Sequence, residues 1–200
     1  MSATPEATGM AAGTELLERA ISYTRGSLAL VTPGGLSRPT PCTGWDLAEL
    51  LVHMDDSLAA LLEAVLDRRV LLVPARRPGD DSFVATVNSL RLRACRLVGA
   101  WSQLQADEHV TIGRRSLPAS LVAVTGALEI AVHGWDVATA CGQDRPLPEA
   151  LARDLLAAAP RVVRDADRPG RFSPAVPCDD AAPASTALLA FTGRAQGHWH

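Results

Sequence analysis

Residues 118–141, PASLVAVTGALEIAVHGWDVATAC, decide how this chain is read. The stretch predicts one long helix, largely apolar, with a polar stripe through it. Glu129 and His133 are four residues apart, so on a helix they lie one turn apart on the same face. Asp136 continues that face, and Val122, Thr125 and Gly126 extend it toward the helix start. Pro118 suits a first helical turn, where its missing N–H costs nothing, and Cys141-Gly142 makes a reasonable stop. A carboxylate and an imidazole at this spacing can share a divalent cation, but two ligands are too few for a stable centre. The third has to come from elsewhere in the chain.

Working outward, residues 40–69 read TPCTGWDLAELLVHMDDSLAALLEAVLDRR. Thr43 and Asp46 resemble a capping box, which starts a helix near Gly44. Leu47, Leu50, Leu51, Met54, Leu58, Leu61 and Leu62 form a broad apolar face, while Asp46, Glu49, His53 and Asp56 cluster on another. His53 is the candidate third ligand. With Glu129 and His133 it makes two imidazoles and one carboxylate, a set that leaves coordination positions open on zinc, nickel or iron. Asp136 is the candidate catalytic group, able to bond a metal-bound water, a substrate or His53 and so orient the site. Its structural alternative is a bond to a helix N-terminus or to Trp45.

The remaining segments complete a helical pattern. Residues 1–13 are expected to be disordered, and a first helix runs over about 14–31 with Thr14 as a cap, ended by Pro33-Gly34-Gly35. Pro74, Pro78 and Gly79 mark a turn. A third helix follows from Asp81 or Ser82 to about Leu104, carried by Phe83, Val84, Val87, Leu90, Leu92, Leu97 and Val98, with Asn88 either inward or solvated. Residues 106–117 form a connector with an extended piece from His109 to Ile112. Its Arg114 and Arg115 are candidates for binding an anionic cofactor or substrate group. A fifth helix spans about 148–165, a surface excursion covers 166–183, and a short sixth helix runs from Ala184 to Phe191 before Gly193. Two histidines in the final GHWH are tail residues able to bind stray metal. The fold class is therefore all-α: a four-helix bundle over 14–145, with extra helices and a Pro-rich tail over 146–200 packed on it. Bundle interiors are where ligands from facing helices converge on metals.

Composition narrows the function. The chain has 200 residues, 48% of them hydrophobic, and a formal charge of −3 with no block of like charge. That excludes the basic face of a nucleic-acid binder. No transmembrane-length apolar run or signal peptide is read, so a cytoplasmic protein without membrane association is expected. Cys42, Cys95, Cys141 and Cys178 are scattered without a CxxC and are read as reduced thiols. Cys141 follows the metal helix, yet Ala138 and Ala140 beside it mark close packing rather than a nucleophile.

TPCTGWDLAELLVH and EIAVHGWDVATA closely resemble two signature segments of the mycothiol-dependent maleylpyruvate isomerase N-terminal domain family, within the DinB-like superfamily of metal-binding four-helix bundles. A weaker likeness extends to LLAFTGR near the end. The resemblance implies a DinB-like bundle whose metal ligands are the histidine closing the first segment and the Glu and His of the second, here His53, Glu129 and His133. It implies a divalent metal, zinc first and nickel or iron next, with mycothiol or another small thiol activated as thiolate. Family isomerases are longer, with a separate C-terminal domain. This chain, which has only a short helix and tail there, resembles a shorter, largely uncharacterised branch. The expected function is a metal-dependent thiol-using isomerase or transferase acting on a small molecule. The alternatives are a metal-dependent hydrolase or cyclase of specialised metabolism, or a non-catalytic metal-binding partner protein. A homodimer through apolar helix faces is also expected.

Overall fold

Four long helices make the bundle. The structure, a computed structural model, describes residues 5–71, 83–105, 107–168 and 172–194. The helices are α1 (Pro5–Leu28), α2 (Leu47–Asp67), α3 (Phe83–Trp101) and α4 (Ala119–Ala140), followed by α5 (Glu149–Val162) and α6 (Ala184–Phe191). Packing runs in a ring: α1 lies along α4, α4 on α2, α2 on α3, and α3 back on α1. Each helix offers the ring an apolar stripe, as amphipathic helices in bundles do.

The core explains where the helices begin. α1 starts at Pro5, well before the expected residue 14, because Met10 is buried and Gly13 lies against Ser120 and Ala123 of α4. The segment predicted to be disordered is thus helical from Pro5. α2 begins three residues later than the sequence suggested. Its capping box is Asp46 with Glu49: Glu49 N donates to Asp46 Oδ1 over 2.9 Å, and Asp46 N donates to Glu49 Oε2 over 3.0 Å. Gly44, at φ +84, and the bridge between Pro39 and Asp46 hold the chain non-helical up to that point.

A small sheet joins the helices. β1 (Arg69–Val70) pairs parallel with β2 (His109–Ile112), which pairs antiparallel with β3 (Arg115–Pro118). β2 matches the extended piece read from the sequence. Gly113, at φ +59, permits the tight turn between β2 and β3. Pro118 stands just before α4 in extended conformation rather than within its first turn. In α3 the core takes Val87, Leu90, Ala94, Leu97 and Trp101, whereas Val84, Leu92 and Asn88 face outward. The expected turn at Pro74, Pro78 and Gly79, the Asp81 or Ser82 cap and the GHWH tail lie outside the described residues.

α4 is the central element. It is the one described helix long and apolar enough to cross a membrane, a length the sequence reading had denied to any run, and 72% of its apolar window is buried inside the bundle. Two glycines bring neighbours close. A Cβ on Gly134 would stand 2.3 Å from Thr24 Oγ1 of α1, and one on Gly126 would stand 2.7 Å from Leu61 of α2. Thr24 itself donates to Ile130 O over 2.8 Å, so α1 is tied to the α4 backbone.

The last helices bring the C-terminal segment back to the bundle. α5 packs on α4 and α1, and α6 packs on α5. Pro183 gives α6 no side-chain cap, and Glu149 of α5 supplies one by accepting from Ala184 N and Ser185 N. Gly193, at φ +83, then turns the chain so that Arg194 enters the protein.

Candidate metal centre

Helical spacing places the polar stripe of α4 on the side that meets α2. Residues 129, 133 and 136 recur at intervals of four and three, so all three lie on one face. His133 and Asp136 are buried, and Glu129 is partly so. From α2, His53 points at the same place: its Nε2 is 2.6 Å from Glu129 Oε1. His133 Nε2 lies 3.1 Å from that oxygen, and the two imidazoles are 5.0 Å apart between centroids, edge to face. Ser57, one turn beyond His53, donates to Glu129 Oε1 over 3.4 Å.

The three sequence-predicted ligands therefore converge, with one ligand atom from each lying within 4.8 Å of the others. Two imidazole nitrogens and a carboxylate oxygen suit zinc or another borderline divalent ion and leave positions free. A second feature supports that fit. Asp136 Oδ2 accepts from His133 Nδ1 over 2.9 Å, which commits the Nδ1 proton and leaves Nε2 as the ligating atom.

The electrostatics follow from burial set against pairing. Burial opposes ionisation of Glu129, but the charge of His133 and hydrogen bonds from both histidines win and hold its carboxyl well below the usual carboxylate range. Burial likewise disfavours charging His133, yet Glu129 and the bond to Asp136 raise it well above the ordinary imidazole value. Asp136 is fully buried. Arg194 and His133 overcome that desolvation and bring its carboxyl down to about 2.

Asp136 sits deeper than the sequence suggested. Its carboxylate has no exposed surface and is taken up by His133, Cys42 and Arg194. It makes no hydrogen bond to His53 and does not line the cleft. Arg114 and Arg115 are exposed at the β2–β3 turn and do not line the cleft beside the ligands. Glu49 is occupied in capping α2. Trp45 forms the rim, 37% exposed, its ring 4.7 Å from that of His53. Trp135 packs against the core instead.

Two residues of this layer went unread in the sequence. Cys42 Sγ lies 3.2 Å from Asp136 Oδ2, 3.6 Å from His133 Nδ1 and 3.3 Å from Arg194 Nη2. A tight loop puts it there: Thr40 Oγ1 donates to Trp45 O over 2.9 Å and accepts from Cys42 N over 3.2 Å. Arg194 Nη1 donates to Thr192 O over 2.9 Å, which steadies the guanidinium. Both lie inside segments that carried the family resemblance, and that was the only signal available. All four cysteines are free, and burial raises the Cys141 thiol against a smaller opposing pull from Arg38.

A narrow cleft reaches this centre between α1, α2, α3 and α4. Ile21, Leu28, Met54, Leu58, Leu90 and Ile130 make most of its wall apolar, and Glu129 and His133 also line it. Its lining, mostly apolar with a few convergent polar groups, has the character of a small-molecule site.

Comparison with known proteins bears on the family and the fold. Residues 17–138 match the family described as the mycothiol maleylpyruvate isomerase N-terminal domain. The uncharacterized protein Rv0738 of Mycobacterium tuberculosis is 28% identical over 172 residues, covering 84% of this chain and 89% of that one. An equally similar uncharacterized protein comes from a second strain of the same species. Among solved structures, the crystal structure of the mycothiol-dependent maleylpyruvate isomerase superposes with a TM-score of 0.56 at 20% identity, covering 74% of this chain and 68% of that one. A histidine-to-alanine mutant of an enzyme of the same name gives 0.52 at 19% identity, with the same coverage. At these identities the structural likeness speaks for the fold, which is DinB-like.

Proposed function

The chain belongs to the mycothiol maleylpyruvate isomerase N-terminal domain family, and from that premise we propose that it is a divalent-metal-dependent enzyme using a small thiol, mycothiol or a relative, in an isomerase or transferase reaction. The observation that carries the reading is the convergence of His53 Nε2, Glu129 Oε1 and His133 Nε2 beside an apolar cleft. Those three residues would hold the metal, zinc by preference. When bound, the metal supplies a positive centre that favours a thiolate over a thiol and polarises a carbonyl oxygen.

The chain's own residues do the rest. Asp136 fixes the His133 tautomer through Nδ1, and Arg194 balances the buried Asp136 charge. Trp45 covers the His53 ring on the outer side. The apolar walls exclude water from the cleft, which strengthens polar interactions inside it. Cys42 has its sulfur directed to Asp136 and Arg194, so the nucleophile is assigned to the small thiol rather than to a protein cysteine.

The test is elemental analysis of untagged protein purified without chelating resin, with His53→Ala, Glu129→Ala and His133→Ala alongside. Near-stoichiometric metal in the wild type, lost in all three variants, is the expected result, and thiol-dependent isomerisation and transfer assays would follow. Wild-type protein that stays metal-free after reconstitution, or metal indifferent to all three changes, would overturn the reading.

A further inference from the structure

The loop that leads into α2 touches both histidines of the centre. Residues 40–45, TPCTGW, close into a tight turn with the Thr40 side chain at its hub. Its hydroxyl has one proton, and of two carbonyls in reach, Trp45 O at 2.9 Å and Cys42 O at 3.3 Å, the nearer takes it. The same oxygen accepts from Cys42 N over 3.2 Å. Thr40 N also donates to Trp45 O, over 3.2 Å, and Trp45 N donates to Cys42 O over 3.0 Å. Thr40 is only 4% exposed, so water does not compete for these bonds.

The two residues that Thr40 ties down are the two that meet the imidazoles. Cys42 Sγ lies 3.6 Å from His133 Nδ1, and the Trp45 ring stands 4.7 Å from the His53 ring. Neither residue lines the cleft, so the loop meets the centre outside that lining. The histidines are held differently. The His133 side chain is 9% exposed and bonded at Nδ1 to Asp136. The His53 side chain is 35% exposed, and the Trp45 indole lies against its ring. His53 Nε2 meets Glu129 Oε1 directly, a contact that a shared cation would replace. The Trp45 ring then becomes the contact that sets the tilt of His53. Ligands oriented beforehand lose less rotational freedom on binding, which is how outer partners raise metal affinity.

We propose that Thr40 is a positioning residue of this centre, acting on the His53 ring through Trp45, with Cys42 anchoring the same loop beside His133. This rests on the proposed function in one respect: the two imidazoles are taken as metal ligands. Threonine suits the task because one short side chain supplies a donor and an acceptor together. Valine has the same shape with neither. The main-chain bonds between residues 40, 42 and 45 and the Pro39–Asp46 bridge do not need the hydroxyl, so Thr40→Val loosens the loop without unfolding it.

The test compares wild type, Thr40→Val, Thr40→Ser and Trp45→Leu. Tyr23→Phe is the stability control, since it removes one hydrogen bond elsewhere, that from Tyr23 to Arg145 O. Chelator-treated, metal-free protein is studied first by NMR. A through-space cross-peak between Trp45 and His53 ring protons is expected in wild type, Thr40→Ser and Tyr23→Phe, and is expected to be lost in Thr40→Val. Zinc affinity is then read by competition with a chromogenic chelator. Thr40→Val and Trp45→Leu should each bind zinc about tenfold more weakly than wild type. Thr40→Ser should restore the affinity, and Tyr23→Phe should leave it unchanged although it too loses stability in urea. A cross-peak that persists in Thr40→Val, zinc affinity indifferent to that change, no rescue by serine, or equal weakening in Tyr23→Phe would overturn the proposal. Wild-type protein that takes up no zinc would instead sink the proposed function, and the metal-free cross-peak would still decide whether Thr40 sets the ring.

Discussion

Arg194 Nη2 lies 2.8 Å from Asp136 Oδ2, and the two residues are 58 positions apart. The same carboxylate oxygen accepts from His133 Nδ1, so a guanidinium from the C-terminal segment holds the group that holds a proposed metal ligand. Both partners are nearly or fully buried, and a buried pair that loses one member leaves an uncompensated charge. Arg194→Met should therefore cost about 3–5 kcal/mol of stability by urea denaturation. Asp136→Asn, close in shape, should keep the fold yet weaken metal binding by about 10–100-fold in competition with a chromogenic chelator. Unchanged metal affinity in Asp136→Asn would mean that His133 needs no orienting partner.

Cys42 offers a cleaner separation of thiols. It touches Asp136, His133 and Arg194 but is not one of the three proposed ligands, His53, Glu129 and His133. Cys42→Ser keeps a short polar side chain there. Metal content should stay within error of the wild type, and any thiol-dependent turnover should persist. Loss of metal in Cys42→Ser would instead make the sulfur a ligand, in the second cluster of Cys42, His133 and Asp136.

How much of this was legible beforehand depended on the range of the interaction. Glu129 and His133 are one turn apart on a single helix, so the 3.6-residue period brings them together without tertiary information. His53 needed a bundle to face them, and the apolar face of α2 implied one. Cys42 and Arg194 reach the site through a tight loop and a turn at Gly193, which no periodicity encodes. The shifted capping box has a similar cause. Thr43 and Asp46 have the right spacing, but Gly44 and the Pro39–Asp46 bridge hold the chain in a non-helical loop until Asp46. Exposure of Val84 and Leu92 on α3 likewise could not be read from residue type alone.

Close approach of α1 and α4 depends on Gly134. A methyl group there would meet Thr24 Oγ1 at 2.3 Å and Thr24 Cβ at 3.0 Å, and Thr24 is held by its bond to Ile130 O. Gly134→Ala, although it raises helix propensity, should destabilise the protein by about 1–3 kcal/mol through overpacking. Adding Thr24→Ala removes the oxygen but not the Cβ, so only partial recovery is expected in urea melts. A Gly134→Ala protein as stable as wild type would show that the helices can separate at no cost.

Tyr23 supplies a pH prediction with its own optical signal, since it is the one tyrosine in the chain. Its hydroxyl donates to Arg145 O over 2.6 Å, and burial pushes its phenol up to about 12 against an opposing pull from the Arg145 charge. An unfolded tyrosine ionises near 10, so between about pH 10 and 12 the unfolded state has lost a proton that the folded state retains. Stability from this group is complete below pH 10 and declines as pH rises through that window, by about 2–3 kcal/mol in all. Absorbance at the phenolate band should show a single late titration in the folded protein, and Tyr23→Phe should flatten the decline in stability across the same window. A phenol that titrates near 10 with the protein still folded would show that the contact between α1 and the α4–α5 link opens readily.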